Sequence, residues 1–381
     1  MQALDGLRVV DMATLIAGPG AARYLADFGA DVIKVEPPGG EGIRRLGWID
    51  DRDGQSLMHK LVNRGKRSLV LDLKQPADLD TMRRLLADAD VLVENLRPGT
   101  LERLGLAPAD LLELNPALVV LRVSGFGQDG PYASRPGFAT LAEAMGGFAA
   151  INGEPDGPPL LPPIALTDEI AALVGAFSVM VALRQRERTG EGQVIDVNLL
   201  ESMLQVLGPL PSAYAHGGYL QPRLGAGIPY TVPRSTYRCA DGVWVAISTS
   251  SETVADRVLG LIGVGHDERF GSFDGRAAHR DELDELLAAW IGARPASEVL
   301  GAFEAAQAAI APVYTMADVF ADPHVQAREA VTDVRGTTMQ NVVARLSRTP
   351  GAIRHPGRML DADRHEILAG LDALGQRGEV G

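Results

Sequence analysis

The strongest constraint on the fold is a repeated strand-then-helix pattern in the first 125 residues. Amphipathic segments such as AARYLADFG and LDTMRRLLADA alternate with short apolar runs at residues 7–10, 32–35, 69–73, 91–93 and 118–123. This alternation predicts an α/β fold with a large Rossmann-like domain built on a parallel sheet. Ligands of such sheets bind beyond the carboxyl ends of the strands, where IAGPG, EPPGG and ENLRPG follow here. We expect the ligand pocket at that edge.

The length of the chain, 381 residues, exceeds what one hydrophobic core usually supports and predicts a second, smaller α/β domain. A stretch rich in Gly, Pro and Tyr at 208–235 is typical of a linker. The predicted organisation is a large ligand-binding domain at 1–207, a linker at 208–235, a small domain at 236–311, a second linker at 312–330, and a C-terminal segment at 331–381 that returns to the large domain.

Charge and residue usage narrow the possible partners. The net charge of −13 disfavours nucleic acid and anionic membrane, so an anionic ligand needs a local basic pocket. The amino terminus has no basic start before an apolar run, which predicts a cytoplasmic protein. Cys239 is the only cysteine and is interpreted as a packing residue, while the seven scattered histidines show no metal-ligand spacing, so no metal is expected.

A glycine-rich motif follows the fifth predicted strand. Gly125, Gly127 and Gly130 form a G-x-G-x-x-G pattern, but Pro131 and Pro136 prevent the helix that a dinucleotide site requires at this point. The sequence therefore predicts neither a nicotinamide nor a flavin cofactor. We interpret the motif as a glycine-rich active-site loop.

Asp168 lies at the start of a long predicted helix that runs to Gly190. Asp at this position is often an N-terminal cap, which satisfies free backbone N–H groups. A carboxylate held ionised by the helix dipole can also act as a covalent nucleophile and form an acyl anhydride. The residues alone leave both interpretations open.

The segment NRGKRSLVLDLK carries the basic residues Arg64, Lys66, Arg67 and Lys74 within an acidic protein. Such a cluster is either a solvated loop or a rim that binds phosphate groups. Arg97 and Arg103, which follow the strand ending in ADVLVEN, are candidates for the same rim.

Taken together, these segments resemble the family III CoA-transferases, which include carnitine, formyl-CoA and bile-acid-type transferases and the related 2-methylacyl-CoA racemases. The resemblance runs almost from end to end. The segments that carry it are LDGLRVVDMATLIAGPGAARYLADFGADVIKVEPPGG, NRGKRSLVLDLK, ADVLVENLRPGTLERLG, SGFGQDGPYASRPG, GEPDGPP, ERTGEGQVIDVNLLES, FADPHVQARE and LSRTPG.

The resemblance implies that the large domain binds coenzyme A as a co-substrate. The implied CoA contacts are Ala17, Leu71, Asp72, Leu73, Lys74, Asn95, Leu96, Arg97 and Arg103. A nucleotide contact that can be Arg in the family is Pro37 here. The family nucleophile is an Asp after the GEPDGPP segment, which matches Asp168 and favours the catalytic interpretation over the cap. The family fold also implies an interlocked homodimer.

The resemblance further implies a mechanism and two alternatives to it. A transferase would carry its acyl group as an aspartyl anhydride and move CoA to a free carboxylic acid. Backbone N–H groups of the Gly125–Gly130 loop, which includes Gly127, would be the oxyanion donors, assisted by Gln128. Phe138 would exclude water from the anhydride. It stands where the racemases carry a proton-transferring His, which disfavours racemisation. The segment VAISTSSETVADR has no convincing counterpart of their Glu, although Glu252 is nearby. A racemase and a non-catalytic CoA-binding protein remain alternatives.

Overall fold

The structure is a computed structural model that describes residues 2–378. Its strands are β1 (Arg8–Asp11), β2 (Asp31–Glu36), β3 (Ile49–Asp50), β4 (Gln55–Ser56), β5 (Arg67–Val70), β6 (Val91–Glu94), β7 (Val119–Ser124), β8 (Val194–Asn198), β9 (Arg234–Arg238), β10 (Trp244–Ser248), β11 (Ile310–Pro312), β12 (Val331–Val334) and β13 (Thr337–Gln340).

The α-helices alternate with these strands in the first part of the chain and dominate its second part. They are α1 (Ala17–Asp27), α2 (Leu57–Val62), α3 (Pro76–Ala87), α4 (Thr100–Arg103), α5 (Pro108–Leu114), α6 (Ala139–Met145), α7 (Phe148–Ile151), α8 (Leu166–Thr189), α9 (Leu199–Val206), α10 (Leu210–Gly217), α11 (Glu252–Leu261), α12 (Phe273–Ala278), α13 (Arg280–Gly292), α14 (Ala296–Ala305), α15 (Met316–Ala321), α16 (Pro323–Ala327) and α17 (Arg364–Gly378).

The main sheet is parallel and has the strand order β5-β2-β1-β6-β7-β8, which confirms the predicted parallel α/β sheet. From β1 the chain first adds strands on one side and then continues on the other side with β6. The strand order therefore reverses between β1 and β6. In open α/β sheets the crevice at this switch point is the usual ligand site.

Both faces of the sheet are covered, which explains why its strands are nearly continuous apolar runs. One core lies under α1 and α8, and the other includes residues of α3, α5 and α17. Glycines allow α1 and α8 to approach closely. A Cβ at Gly20 would lie 2.9 Å from the Cβ of Ala172, and a Cβ at Gly175 would lie 3.4 Å from that of Ala21. This packing fixes the start of α8 beside the sheet edge.

The chain divides into a larger unit, residues 1–146, 162–208 and 324–381, and a smaller unit, residues 147–161 and 209–323. The smaller unit contains an antiparallel sheet of order β11-β10-β9 and its own core, formed with α11, α13 and α14. The β9–β10 hairpin turns at Asp241 and Gly242, and Cys239 is buried in this core.

The division differs from the predicted boundaries in two respects. Residues 147–161, assigned from sequence to the large domain, cluster with the smaller unit. The predicted linker at 208–235 contains helix α10 and the first residues of β9, because Leu210 to Gly217 form a regular helix despite the surrounding glycines. The C-terminal segment does return to the larger unit, where Ile367 and Leu371 of α17 enter the second core.

Helix α8 is the one helix among the described residues that is long and apolar enough to cross a membrane. Its buried residues include Ala171, Ala172 and Val179, which belong to the core shared with α1 and the sheet. A core helix with this packing has the same length and composition as a membrane span.

Candidate active site

A cavity of about 470 Å³ lies at the carboxyl ends of β1, β6 and β7, at the switch point of the sheet. Its walls are residues 14–17, 46, 95–98, 123–125, 133, 135–140, 168 and 199. Seven of the residues singled out from sequence line it together: Ala17, Asn95, Leu96, Arg97, Gly125, Phe138 and Asp168. The cavity therefore joins segments that are far apart in the chain.

The other candidates lie outside this lining. Leu71, Asp72, Leu73 and Lys74 follow β5, the edge strand, which is separated from β1 by β2. Arg103 is exposed and donates a hydrogen bond from Nη2 to Thr100 Oγ1 at 2.7 Å. Pro37 is exposed in the turn after β2. Any role of these residues in binding CoA concerns a part of the ligand outside the cavity.

Asp168 occupies the first turn of α8 but does not cap it. The N-cap is Ala165, and no side chain caps this helix end. Burial, followed by the charges of Glu143 and Glu169, raises the pKa of the Asp168 carboxyl to about 6. The expected stabilisation of the carboxylate by the helix dipole is therefore outweighed. With this pKa the group is mostly ionised at neutral pH and more basic than an ordinary aspartate.

Two glutamates flank Asp168 and were not identified from sequence. Glu143 of α6 is buried and accepts a hydrogen bond of 3.0 Å from Thr167 Oγ1. Glu169 accepts bonds of 3.1 Å from Arg23 Nη2 and from Tyr24 Oη. Glu143 lies 25 positions before Asp168 on another helix, so no local spacing could have linked the two carboxylates.

The segment before α1 forms one wall of the cavity and is held from two sides. Asn95 accepts a 2.7 Å bond from the backbone N–H of Thr14 and donates a 2.7 Å bond to its carbonyl oxygen. Glu41 accepts a 2.7 Å bond from the N–H of Leu15, whose φ of 64° is unusual for a residue with a Cβ. The Asn95 amide therefore shapes the wall through Thr14.

Glu41 in turn belongs to a buried ion network beneath this wall. Lys34 Nζ lies 3.1 Å from Glu41 and 3.5 Å from Asp11, and it donates to the carbonyl of Ala13. Lys66 Nζ lies 2.8 Å from Asp11 and donates to the carbonyl of Pro19 at 2.7 Å. The network ties β1, β2 and the start of α1 together.

These contacts correct the interpretation of the basic cluster. Lys66 is fully buried against Asp11, Arg64 pairs with Asp27 at 2.6 Å, and Arg67 pairs with Asp31 at 2.6 Å. These three side chains are neither a solvated loop nor a phosphate rim, because their charges are already neutralised within the fold. Only Lys74 of the cluster is exposed.

The glycine-rich loop after β7 is a loop, as predicted, and its glycines have a steric cause. The Cα atoms of Gly125 and Gly137 approach so closely that a Cβ at Gly125 would lie 2.5 Å from Gly137 Cα. The loop thus folds back on the end of β7 and brings residues 135–138 to the cavity wall.

Two backbone N–H groups of the predicted oxyanion loop already have hydrogen-bond partners. The N–H of Gly127 donates to Ser124 Oγ at 2.9 Å, and the N–H of Gln128 donates to Asp196 Oδ2 at 2.8 Å. These two backbone groups hold the shape of the loop. The Nε2 atom of the Gln128 side chain, in contrast, is buried and has no hydrogen-bond partner among the described residues. Gly125 remains in the cavity lining.

Phe138 lines the cavity with a side chain that is 58% exposed, at the position where a racemase would carry its histidine. Glu252, which is near the expected position of the second racemase group, accepts a 2.8 Å hydrogen bond from Arg276 within the smaller unit. Among the described residues, no group of three or more His, Cys, Asp or Glu side chains is arranged to hold a metal ion.

The fold and the cavity define an α/β enzyme with a carboxylate of raised pKa at the switch point of a parallel sheet. A family model described as CoA-transferase family III matches residues 4–364. The chain belongs to this family and is a CoA-transferase, with a CoA thioester as co-substrate. The family predicted from the sequence is thereby confirmed.

The similarity to relatives of named activity covers nearly the whole chain. It is 38% identical to the succinyl-CoA–D-citramalate CoA-transferase of Chloroflexus aurantiacus, over 97% of this chain and 94% of that protein. It is 40% identical to the succinyl-CoA–L-malate CoA-transferase beta subunit of the same organism, over 96% and 93%. A CAIB/BAIF family protein from Brucella suis has a similar structure, with a TM-score of 0.87 and 33% identity over 97% and 99% of the two chains.

Proposed function

We propose that this CoA-transferase moves CoA from succinyl-CoA to a short dicarboxylic acid through a covalent anhydride on Asp168. The observation that carries the proposal is the placement of Asp168 in the wall of the switch-point cavity without a capping role. Among the described residues, none donates a hydrogen bond to its carboxylate. A carboxylate that is partly desolvated and not engaged by donors is available to attack a carbonyl carbon.

The chemistry is a relay in which no proton is transferred. An Asp168 oxygen attacks the donor thioester carbonyl, the C–S bond breaks, and the CoA thiolate leaves with the electron pair. The thiolate then attacks the Asp168 carbonyl of the anhydride and releases the donor acid, which leaves an aspartyl–CoA thioester. The acceptor carboxylate attacks that thioester, the C–S bond breaks, and the CoA thiolate leaves again as a second anhydride forms. The thiolate finally attacks the acceptor carbonyl, which regenerates Asp168.

The electrostatics of the site fit this relay. A pKa of about 6 leaves Asp168 ionised at neutral pH, and the higher basicity makes it a stronger nucleophile than an ordinary aspartate. The anhydride must be kept from water, and Phe138 and Leu199 provide apolar surface on the cavity wall.

The names of the relatives support succinyl-CoA as donor and a four- or five-carbon dicarboxylate as acceptor. Such substrates are anions, and the overall charge of this chain would repel them. The cavity offsets that repulsion locally with two arginines, Arg97 and Arg135.

We also propose that the chain acts as the interlocked homodimer implied by the resemblance. Helix α8 presents apolar side chains to solvent on the face opposite its core side, among them Leu173 and Phe177, the latter 70% exposed. A surface of this kind is unusual on a monomer. Light scattering on wild type and on Phe177→Glu tests this. A wild-type monomer would contradict it.

The decisive experiment is intact-mass spectrometry after incubation with succinyl-CoA in the absence of an acceptor. Wild type is expected to carry a covalent adduct that hydroxylamine removes, and Asp168→Ala is expected to carry none. Addition of D-citramalate or L-malate should discharge the adduct and yield the corresponding acyl-CoA. Transfer at the wild-type rate by Asp168→Ala would overturn the proposal.

A further inference from the structure

The cavity contains two cationic side chains among its described lining residues, and they lie on different walls. Arg97 follows β6 and directly precedes the turn into α4, which carries Arg103. Arg135 lies in the loop between β7 and α6, three residues before Phe138. An acyl-CoA substrate with a free carboxylate at its far end carries anionic groups at both ends, so the two arginines offer separate counter-ions.

Arg135 is held in place without using its hydrogen-bond donors. Its guanidinium carbon lies 3.8 Å from the ring centroid of Tyr132. The Tyr132 ring in turn packs edge-on against Phe126, with 5.9 Å between the two ring centroids. Within residues 2–378, no carboxylate pairs with Arg135, and its guanidinium N–H groups bond to no described side chain. Stacking fixes the plane of a guanidinium and leaves its edge open for a two-point contact with a carboxylate.

The loop geometry brings Arg135 to the cavity that Asp168 also lines. The close approach of Gly125 and Gly137 folds residues 135–138 back toward the end of β7. Arg135 and Phe138 therefore line the same cavity as Asp168. Arg97 lies on the β6 wall next to Asn95 and Leu96, which the family resemblance places along CoA.

We propose that Arg135 binds the distal carboxylate of the dicarboxylic substrate and thereby selects dicarboxylic over monocarboxylic acids. This inference rests on the proposed function. The chemistry requires a cation because the distal carboxylate would otherwise lie, without a partner, in a cavity that already contains the Asp168 carboxylate. A planar guanidinium recognises that group in a geometry that a terminal methyl group cannot match.

The test compares two donors of equal length, succinyl-CoA and butyryl-CoA, which differ in the terminal carboxylate. The variants are Arg135→Gln, Arg135→Lys and, as a matched control, Arg97→Gln. The measurements are kcat/KM for formation of the Asp168 adduct with each donor, and the inhibition constant of free CoA. Thermal unfolding of each variant establishes that it is folded.

Arg135→Gln is expected to lower kcat/KM for succinyl-CoA by about 10- to 100-fold, as loss of a charged hydrogen-bond pair does. Its kcat/KM for butyryl-CoA and its affinity for free CoA should stay within about twofold of wild type, because they involve no distal carboxylate. Arg135→Lys should retain part of the preference for succinyl-CoA. Arg97→Gln should affect both donors equally.

Two results would overturn the inference. If Arg135→Gln loses activity equally with both donors, Arg135 serves CoA or the fold, and the proposed function stands without it. If Arg135→Gln keeps the wild-type preference for succinyl-CoA, another group binds the carboxylate. A wild type that forms no adduct with succinyl-CoA would instead overturn the proposed function, and the inference with it.

Discussion

Thr167 donates its hydroxyl to the carboxylate of Glu143 at 3.0 Å, and both residues are buried directly beside Asp168. The hydrogen bond joins α6 to the first turn of α8 and brings a second negative charge near Asp168. Glu143 is the largest charged contribution to the raised pKa of Asp168, ahead of Glu169 on the same helix. The contact therefore places a negative charge close to Asp168, whose pKa is raised first by burial and then by the charges of Glu143 and Glu169.

Glu143→Gln is expected to shift the acid limb of kcat/KM to lower pH. Asp168 must be ionised to attack, so activity falls as the pH drops through its pKa of about 6. Glutamine can still accept the Thr167 hydrogen bond but removes the negative charge, which lowers the pKa of Asp168. The pH profile of adduct formation measures the shift.

Two further variants separate charge from position in that profile. Glu169→Gln should move the limb in the same direction by a smaller amount, while Thr167→Val, which keeps both charges, should leave it in place. Arg97 and Arg135 on the cavity wall are unchanged in all three variants. A larger shift in Thr167→Val than in Glu143→Gln would contradict the assignment.

Asp168→Asn is expected to raise the free energy of unfolding at pH 8. The ordinary pKa of an aspartate is about 3.9, and burial and the neighbouring carboxylates raise that of Asp168 to about 6 in the folded chain. Between these values the folded chain binds more protons than the unfolded chain, so wild-type stability falls as the pH rises through this window. Asparagine does not ionise, so the variant does not lose stability in this way as the pH rises.

The stability difference between Asp168→Asn and wild type should be near zero at pH 4 and approach about 2 kcal/mol at pH 8, a value reduced for partial exposure. Urea denaturation at several pH values measures it. Asp80→Asn, an exposed position on α3, serves as the control for the same chemical substitution outside the cavity. A constant difference across the pH range would show that the pKa of Asp168 is not raised.

The fold of the larger unit could be predicted because its strands are buried on both faces. Each of the five apolar runs coincides with or overlaps one of β1, β2, β5, β6 and β7, and the segments at their carboxyl ends supply much of the cavity wall. The buried charges were harder to predict. Lys66 and Arg64 belong to residue types that are mostly exposed, and their partners Asp11 and Asp27 lie 55 and 37 positions away.

The site could be predicted only in part, because several of its contacts join residues that are far apart in the sequence. Bare sequence could not separate a cap from a nucleophile at Asp168, and the family resemblance favoured the nucleophile. Arg135 and Glu143 had no local signal, since their importance depends on contacts made through folding of the loop and of α6. The segment at 147–161 adjoins the large domain in sequence but clusters with the smaller unit, so its assignment depends on contacts made in the folded chain.

Asn95→Ala is expected to raise KM for the acyl-CoA more than it lowers kcat. The substitution removes the two 2.7 Å hydrogen bonds that hold Thr14, while Asp168 and its neighbours stay in place. Loss of two such bonds destabilises the wall by roughly 1–3 kcal/mol, which corresponds to an increase in KM of about 5- to 150-fold. Steady-state kinetics measure the changes in KM and kcat separately. Asn95→Asp keeps the acceptor for the Thr14 N–H, so its KM should lie between those of wild type and Asn95→Ala. A fall in kcat at unchanged KM would contradict this role.

Gly125→Ala is expected to reduce both stability and kcat/KM, whereas Gly301→Ala should slightly stabilise the protein. A Cβ at Gly125 would lie 2.5 Å from the Cα of Gly137, a backbone atom that moves only if the loop at 125–138 shifts. That shift would displace Arg135 and Phe138 from the cavity wall. Gly301 lies in α14, where an added Cβ would meet no described atom within 4 Å, so alanine gains about 0.5–1 kcal/mol of helix propensity there. Thermal unfolding and adduct formation measure both variants, and wild-type activity in Gly125→Ala would show that the loop tolerates the displacement.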